Sequence, residues 1–234
     1  MGAAVFCLSL TLAVGAADKA VKKATAKTKP KDPAMVAVAD EPGLPRVMLI
    51  GDSISIGYTP PVRKLLKGKA NVHRPLTNCA HTRTGLQNLQ TWLGSGKWDV
   101  IHFNWGLHDL KYCDEKGTLV PVGKGQQQVP VDEYEKNLRA LVEQLKKTGA
   151  RLIWCATTPV PEGANGRLPG DEVKYNAAAL KVMQEMGVAV DDLYSFAKPQ
   201  LEKIQRKADV HYTAEGYEAL AGKVVAEIEK AMGR

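Results

Sequence analysis

The sequence predicts an α/β protein, a three-layer α/β/α sandwich built around a doubly wound, parallel, five-stranded sheet. Three observations predict it. Short continuous apolar runs rich in Val and Ile alternate along the chain with segments of helical period. Several of these runs lack the polar alternation of a half-exposed strand, as strands covered on both faces should. Gly149 and Gly187 stop two helical segments just before the next apolar run. Strictly alternating β and α elements demand crossover connections, hence a parallel sheet with helices on both faces.

The first strand is expected at residues 46–50 (RVMLI), followed by a helical pattern near 58–66. A second strand is expected at 71–75 and a helix near 85–93. The run DVIHFN at 99–104 is the third strand, and 111–130 is a long irregular segment behind it. A helix over 131–148 follows, for which Asp132 and Glu135 have the spacing of a capping box. The fourth strand is RLIWCA at 151–156, then a helix at 171–186, a short strand at 188–191 and a final helix at 213–232. Thr213 is a natural N-cap for that last helix, with Glu215 in its first turn. In such sheets ligands bind beyond the carboxyl ends of the strands. The 111–130 segment follows a strand directly, so it is either part of the ligand-binding side or a surface insertion.

The 234 residues carry 32 Lys and Arg against 25 Asp and Glu, a formal charge of +7. That excess is uneven. Residues 18–32 (DKAVKKATAKTKPKD) hold six lysines and two aspartates, whereas residues 33–234 carry only +3. The basic stretch has no apolar periodicity and is expected to be a disordered linker, with its Pro-rich continuation reaching residue 44. Before it, residues 3–17 (AAVFCLSLTLAVGAA) are uncharged and apolar, too short to span a bilayer but suited to a signal-peptide core. Residues 1–17 are therefore expected to be a signal peptide without a positive n-region, 18–44 a linker and 45–234 the folded domain. The expected location is secreted or periplasmic, with no stable membrane insertion after cleavage and no nucleic-acid partner. Cleavage leaves Cys79, Cys113 and Cys155, an odd number with no metal spacing. Cys155 reads as a core residue, while Cys79 and Cys113 lie in loops where pairing and coincidence are both open.

Three strand ends carry the chemistry. The first strand runs into Gly51-Asp52-Ser53, which sets a serine at the sheet's carboxyl edge with its backbone N–H facing the same space. Asp209-Val210-His211-Tyr212-Thr213 leads into the last helix and leaves His211 in the entering loop, where an imidazole can serve as base for a hydroxyl. Asn104-Trp105-Gly106-Leu107-His108-Asp109 follows the third strand directly, with a glycine for the turn and polar side chains after it.

Together the three blocks resemble the SGNH (GDSL) hydrolase superfamily, over roughly residue 46 to the C-terminus. GDS at Ser53 matches the first family block, GLHD at 106–109 the third, and HYTAEGY from His211 the last. The second block is the weakest match, with Ala80 in Asn78-Cys79-Ala80-His81 aligned to the oxyanion glycine. The resemblance implies a flavodoxin-like fold and two-step acyl transfer with no metal or organic cofactor. Ser53 would be the nucleophile, His211 the base, and Ser53, Ala80 and His108 the oxyanion donors. His108 stands where the family uses Asn, and a neutral imidazole donates only in the correct tautomer. The acid is displaced, since Ala208 occupies the usual place and Asp209 lies one residue closer to His211. Asp209 is taken as the acid, with a main-chain carbonyl or a Ser-His dyad as alternatives. Trp105 and Tyr58 are candidates to stack on a sugar, or wall packing. The expected substrate is a carbohydrate or small-molecule ester, deacetylation above all. Lysophospholipase or thioesterase-like activity, and a weakened fold that binds glycans, are the alternatives.

Overall fold

The all-apolar character of RVMLI is explained by burial on both faces. In a computed structural model, which describes residues 1–2 and 32–234, Arg46–Ile50 forms β1, and Val47 to Ile50 are all buried. Ser53–Leu65 is α1, Asn71–His73 β2, Thr82–Leu93 α2 and Val100–Phe103 β3. Two short strands follow, β4 (Tyr112–Cys113) and β5 (Gln126–Gln127), then α3 (Val131–Lys146), β6 (Arg151–Cys155), α4 (Asp171–Met186) and β7 (Ala189–Asp191). The short α5 (Leu193–Ala197) and α6 (Leu201–Ile204) precede α7 (Ala214–Ala231).

The main sheet has the order β2-β1-β3-β6-β7 and every pairing in it is parallel. Because the chain steps one way from β1 to β2 and then back the other way, right-handed crossovers place α1 and α2 on opposite faces. α1 packs against α7 on one face, and α2, α3 and α4 pack in series on the other. The expected α/β/α sandwich is therefore found, with its topological switch between β1 and β3. The loops carrying Ser53 and 104–109 leave from those two strands.

Local chemistry sets the boundaries. α1 begins five residues earlier than its apolar pattern, because the Asp52 carboxylate caps it by accepting from the Ile54 N–H at 2.9 Å. Thr213 caps α7 as expected, accepting from the Gly216 N–H at 3.0 Å. The capping box at 132–135 is not formed: Pro130 is the N-cap of α3, and Glu135 instead accepts from Lys181 at 2.8 Å. A Pro at the cap fixes φ but offers no side-chain acceptor, so Asp132 and Glu133 in the first turn favour the helix dipole, and Glu133 also accepts from Arg83. The 111–130 segment is not irregular throughout, since β4 and β5 pair antiparallel inside it.

Residues 32–44, expected as the end of a disordered linker, lie on the domain. Ala34 is fully buried, and Asp40 bonds both Arg46 (2.9 Å) and His73 (2.6 Å). The Asn71 side chain ties the Glu41 backbone down from both sides. The expected signal segment and the lysine-rich stretch fall almost wholly outside the described residues. Among the described residues no helix is long and apolar enough to cross a membrane. Cys79, Cys113 and Cys155 are all free and buried, so Cys79 and Cys113 do not form the disulfide left open above.

Candidate active site

Helix-helix approach brings the first and last blocks together. At Gly57 in α1 a Cβ would lie 2.1 Å from the Tyr217 ring of α7, so only glycine allows this contact. Ser53 opens α1 and His211 precedes α7 by three residues. At Gly216 a Cβ would sit 2.2 Å from the Ile204 carbonyl, which explains the glycine in the HYTAEGY tail. The 205–213 loop is pinned by a bridge between Gln205 and Tyr212 and by Gln205 Nε2 donating to the Pro159 carbonyl at 3.0 Å.

In this arrangement His211 Nε2 is 2.8 Å from Ser53 Oγ, and His211 Nδ1 is 2.6 Å from Asp209 Oδ1. The same carboxylate oxygen accepts the His211 backbone N–H at 3.1 Å. Ala208 has φ +55°, one of two non-glycine residues in the left-handed region among those described. This turn lets an aspartate two residues before the histidine reach Nδ1. Gly163 makes room for it, since a Cβ there would meet the Ala208 Cβ at 3.0 Å. Partial burial pushes the Asp209 carboxyl up, but the His211 backbone N–H and imidazole, with Arg206, outweigh this and hold it below its ordinary value. The carboxylate is thus kept ionised beside the imidazole.

The other left-handed residue is Ala80, at φ +49°. That is the conformation a glycine adopts freely, which accounts for the glycine usual at this place in the superfamily. The resemblance placed the Ala80 N–H among the oxyanion donors, and donation from that position does not require a negative φ. In the structure, however, that N–H is already engaged, donating to Asn78 Oδ1 at 2.9 Å. The Ser53 N–H, in the first turn of α1, has no intrahelical acceptor and remains available.

His108 is half-buried and its imidazole has no hydrogen-bond partner among the described residues. Burial holds its pKa down to about 4, against a partial pull upward from Asp52, so the ring is neutral near pH 7. The loop that carries it is rigid. At Gly106 a Cβ would lie 2.0 Å from Thr157 Oγ1, and Asn104 Nδ2 donates to the Cys155 carbonyl at 2.7 Å. Asp109 anchors the other side by accepting the Thr82 N–H (2.9 Å) and hydroxyl (2.6 Å), which locks the 104–109 loop to the start of α2.

Trp105 and Tyr58 do not reach a substrate. Trp105 is fully buried, its Nε1 donating to the Cys79 carbonyl at 3.3 Å, and Tyr58 is 1% exposed and packs edge-on to His102. Both are core residues, Tyr58 on the inward face of α1 and Trp105 in the loop just beyond β3, packed against Phe103. Two positioning residues escaped the sequence analysis. Arg74, 4% exposed, donates to the carbonyls of Gly51 and Thr77 at 3.2 Å and so ties the first block to the second. Arg167 donates through Nε to the Leu107 carbonyl at 2.9 Å, holding the residue before His108. Neither sits in a recognisable motif, so the chain alone offers no signal for them.

One cluster outside the site has metal-ligand chemistry. Side-chain atoms of His102, Cys155 and Asp191 lie within 4.8 Å of one another and are buried. His102 Nε2 is already 3.0 Å from Asp191 Oδ2, and the Lys223 ammonium lies 3.8 Å from Oδ1. A resident cation thus already faces that carboxylate, which disfavours a metal ion there.

A family model described as GDSL-like lipase/acylhydrolase matches residues 49–219. The chain belongs to this family. Solved structures with the same fold include the acetyl xylan esterase AlAXEase, at 17% identity and a TM-score of 0.64, covering 78% of this chain and 99% of that one. A lipase/acylhydrolase from Enterococcus faecalis aligns at 18% identity and a TM-score of 0.65, over 80% of this chain and 96% of its own. An acetylxylan esterase from Geobacillus stearothermophilus aligns at 18% and 0.62, over 79% and 94%. No curated protein matches the sequence. As a GDSL-like acylhydrolase the chain is an ester-acting hydrolase, and its SGNH-type sandwich is the fold these neighbours share.

Proposed function

We propose that this chain is a serine esterase that removes short acyl groups, acetyl above all, from a carbohydrate or other small ester through Ser53 and His211. The observation that carries the reading is the 2.8 Å contact of Ser53 Oγ with His211 Nε2, backed by Asp209 on Nδ1. His211 takes the Ser53 proton as the oxygen attacks the ester carbonyl, and returns it to the leaving alcohol. The Ser53 N–H and the neutral His108 imidazole face the oxyanion, joined by the Ala80 N–H once Asn78 releases it. Water activated by His211 then frees the acid and restores the serine.

The site is open, with Ser53 half-buried and the His211 side chain 36% exposed. Openness suits a bulky alcohol carrying a small acyl group. Two of the structural neighbours are named as acetyl xylan esterases, which supports the same class of substrate. The leader expected at residues 1–17 adds export to the reading, and a mature N-terminus at Asp18 on protein recovered outside the cytoplasm checks it. The test of function is release of acetate from acetylated xylan beside hydrolysis of a long-chain p-nitrophenyl ester. Acetate release with little action on the long chain supports the proposal, and the reverse order refutes it.

A further inference from the structure

The segment 111–130 builds a second feature that the catalytic account leaves unused. β4 and β5 fold it into a hairpin, closed where Gly125 approaches the Cys113 carbonyl so tightly that a Cβ would lie 2.3 Å away. The hairpin is tied to the domain. The Tyr112 N–H donates to the Gly166 carbonyl at 2.7 Å, and Gln127 Nε2 and the Tyr112 hydroxyl both donate to Asp171 Oδ2, at 2.9 and 3.2 Å. Between this hairpin and Arg83 at the start of α2 lies a cleft of about 860 Å3.

Its lining is polar. Gln126, Gln127 and Gln128 line it in succession; the Gln127 amide is tied to Asp171, the Gln126 side chain is exposed, and the Gln128 Oε1 is buried with no hydrogen-bond partner among the described residues. A buried acceptor without a donor is costly unless a ligand supplies one. Charge in the cleft is balanced: Lys116 and Lys124 stand against Asp114 and Glu115, while Arg83 is held by Glu133 through two 2.5 Å bonds. Amides that donate and accept, with no net field, suit a neutral ligand rich in hydroxyls. One wall of the cleft is joined to the site: Arg83 follows Thr82, whose hydroxyl donates at 2.6 Å to Asp109, the residue after His108.

The geometry points to a distal subsite in which the 111–130 hairpin and Arg83 bind the neutral saccharide chain of an esterified glycan while the ester lies at Ser53. This rests on the esterase reading, so its test uses a ligand without an ester. The full chain carrying Ser53→Ala is titrated calorimetrically with xylohexaose and, separately, with a galacturonic acid oligomer. The neutral hexamer is expected to bind with a Kd on the order of 1 mM or tighter. Gln128→Leu is expected to weaken it about five- to tenfold, the loss of one or two hydrogen bonds. Gln126→Ala, at an exposed side chain with no bond to the fold, is expected to weaken it about threefold and guards against a folding defect in the first variant. No binding at about 10 mM, an unchanged Kd in both variants, or preference for the acidic oligomer each overturns the subsite. An active esterase that binds no hexamer refutes the cleft and leaves Ser53 standing; hexamer binding without Ser53-dependent hydrolysis does the opposite.

Discussion

Asp209 reaches His211 from only two positions away, its Oδ1 lying 2.6 Å from Nδ1. An aspartate so close in sequence would ordinarily point along the chain rather than back at the ring. Here the left-handed Ala208 at φ +55° turns the backbone first, so the carboxylate and imidazole meet. With Asp209 as the orienting acid, Asp209→Asn loses the ionised partner and favours the wrong tautomer. We predict that kcat falls by about 10² to 10⁴ with KM little changed, as expected for loss of support to a general base. Steady-state kinetics on p-nitrophenyl acetate checks this, and a fall of less than about threefold would point to a Ser-His dyad.

Ala80 at φ +49° pays for a conformation that glycine adopts freely. The left-handed state costs an alanine roughly 1–2 kcal/mol, of which glycine's greater unfolded-state freedom returns about 0.5–1. Ala80→Gly should therefore stabilise the fold by about 0.5–1 kcal/mol, a rise of about 1–4 °C in Tm. Differential scanning calorimetry reads it directly, and a lower Tm would mean that the methyl group packs favourably enough to outweigh the strain.

Burial keeps His108 neutral down to about pH 4, well below the ordinary imidazole value of 6.5. Its protonation should then leave no mark on the rate between pH 5 and 8. His108→Asn, which keeps a side-chain donor, is expected to preserve the shape of the kcat/KM profile over that range. His108→Ala should lower kcat by about 10²- to 10³-fold, the effect of losing one oxyanion donor. Disappearance of an acid limb in the Asn variant would show that His108 titrates in the working range.

Asp109 moves the opposite way. Complete burial drives its carboxyl up to about 7, against the bonds from Thr82. A raised folded-state value means that the associated stability is fully present below the ordinary 3.8 and is lost as pH rises through about 7. Urea unfolding at pH 5 and pH 8 should therefore show a loss in the wild type that Asp109→Asn lacks, by about 2–3 kcal/mol. Equal pH dependence in the two proteins would mean that Asp109 is not the group being charged.

Much of this was legible in the chain because the informative features are local. RVMLI, DVIHF and RLIWC are apolar on both faces, so their strands and the parallel sheet follow from period and composition. Ser53 and His211 were legible through the resemblance of three strand-end blocks to one family, since neither position alone distinguishes a catalytic residue from a helix cap or a solvated loop side chain. The capping box failed because Asp132 and Glu135 satisfy a spacing rule that Pro130 pre-empts. Trp105 and Tyr58 failed because proximity to a motif in sequence says nothing of which face the residue turns to. Arg74 and Arg167 act on carbonyls distant in sequence, through bonds that only the assembled loops create. The Ala80 strain is a backbone fact, invisible until φ is known.

The central claim is that Ser53 is the nucleophile of an ester hydrolase. Hydrolysis of p-nitrophenyl acetate by the wild type and by Ser53→Ala tests it most directly. A fall in kcat of about 10³-fold or more in the alanine variant, with unchanged thermal unfolding, is the predicted result. An unchanged rate in Ser53→Ala would contradict it.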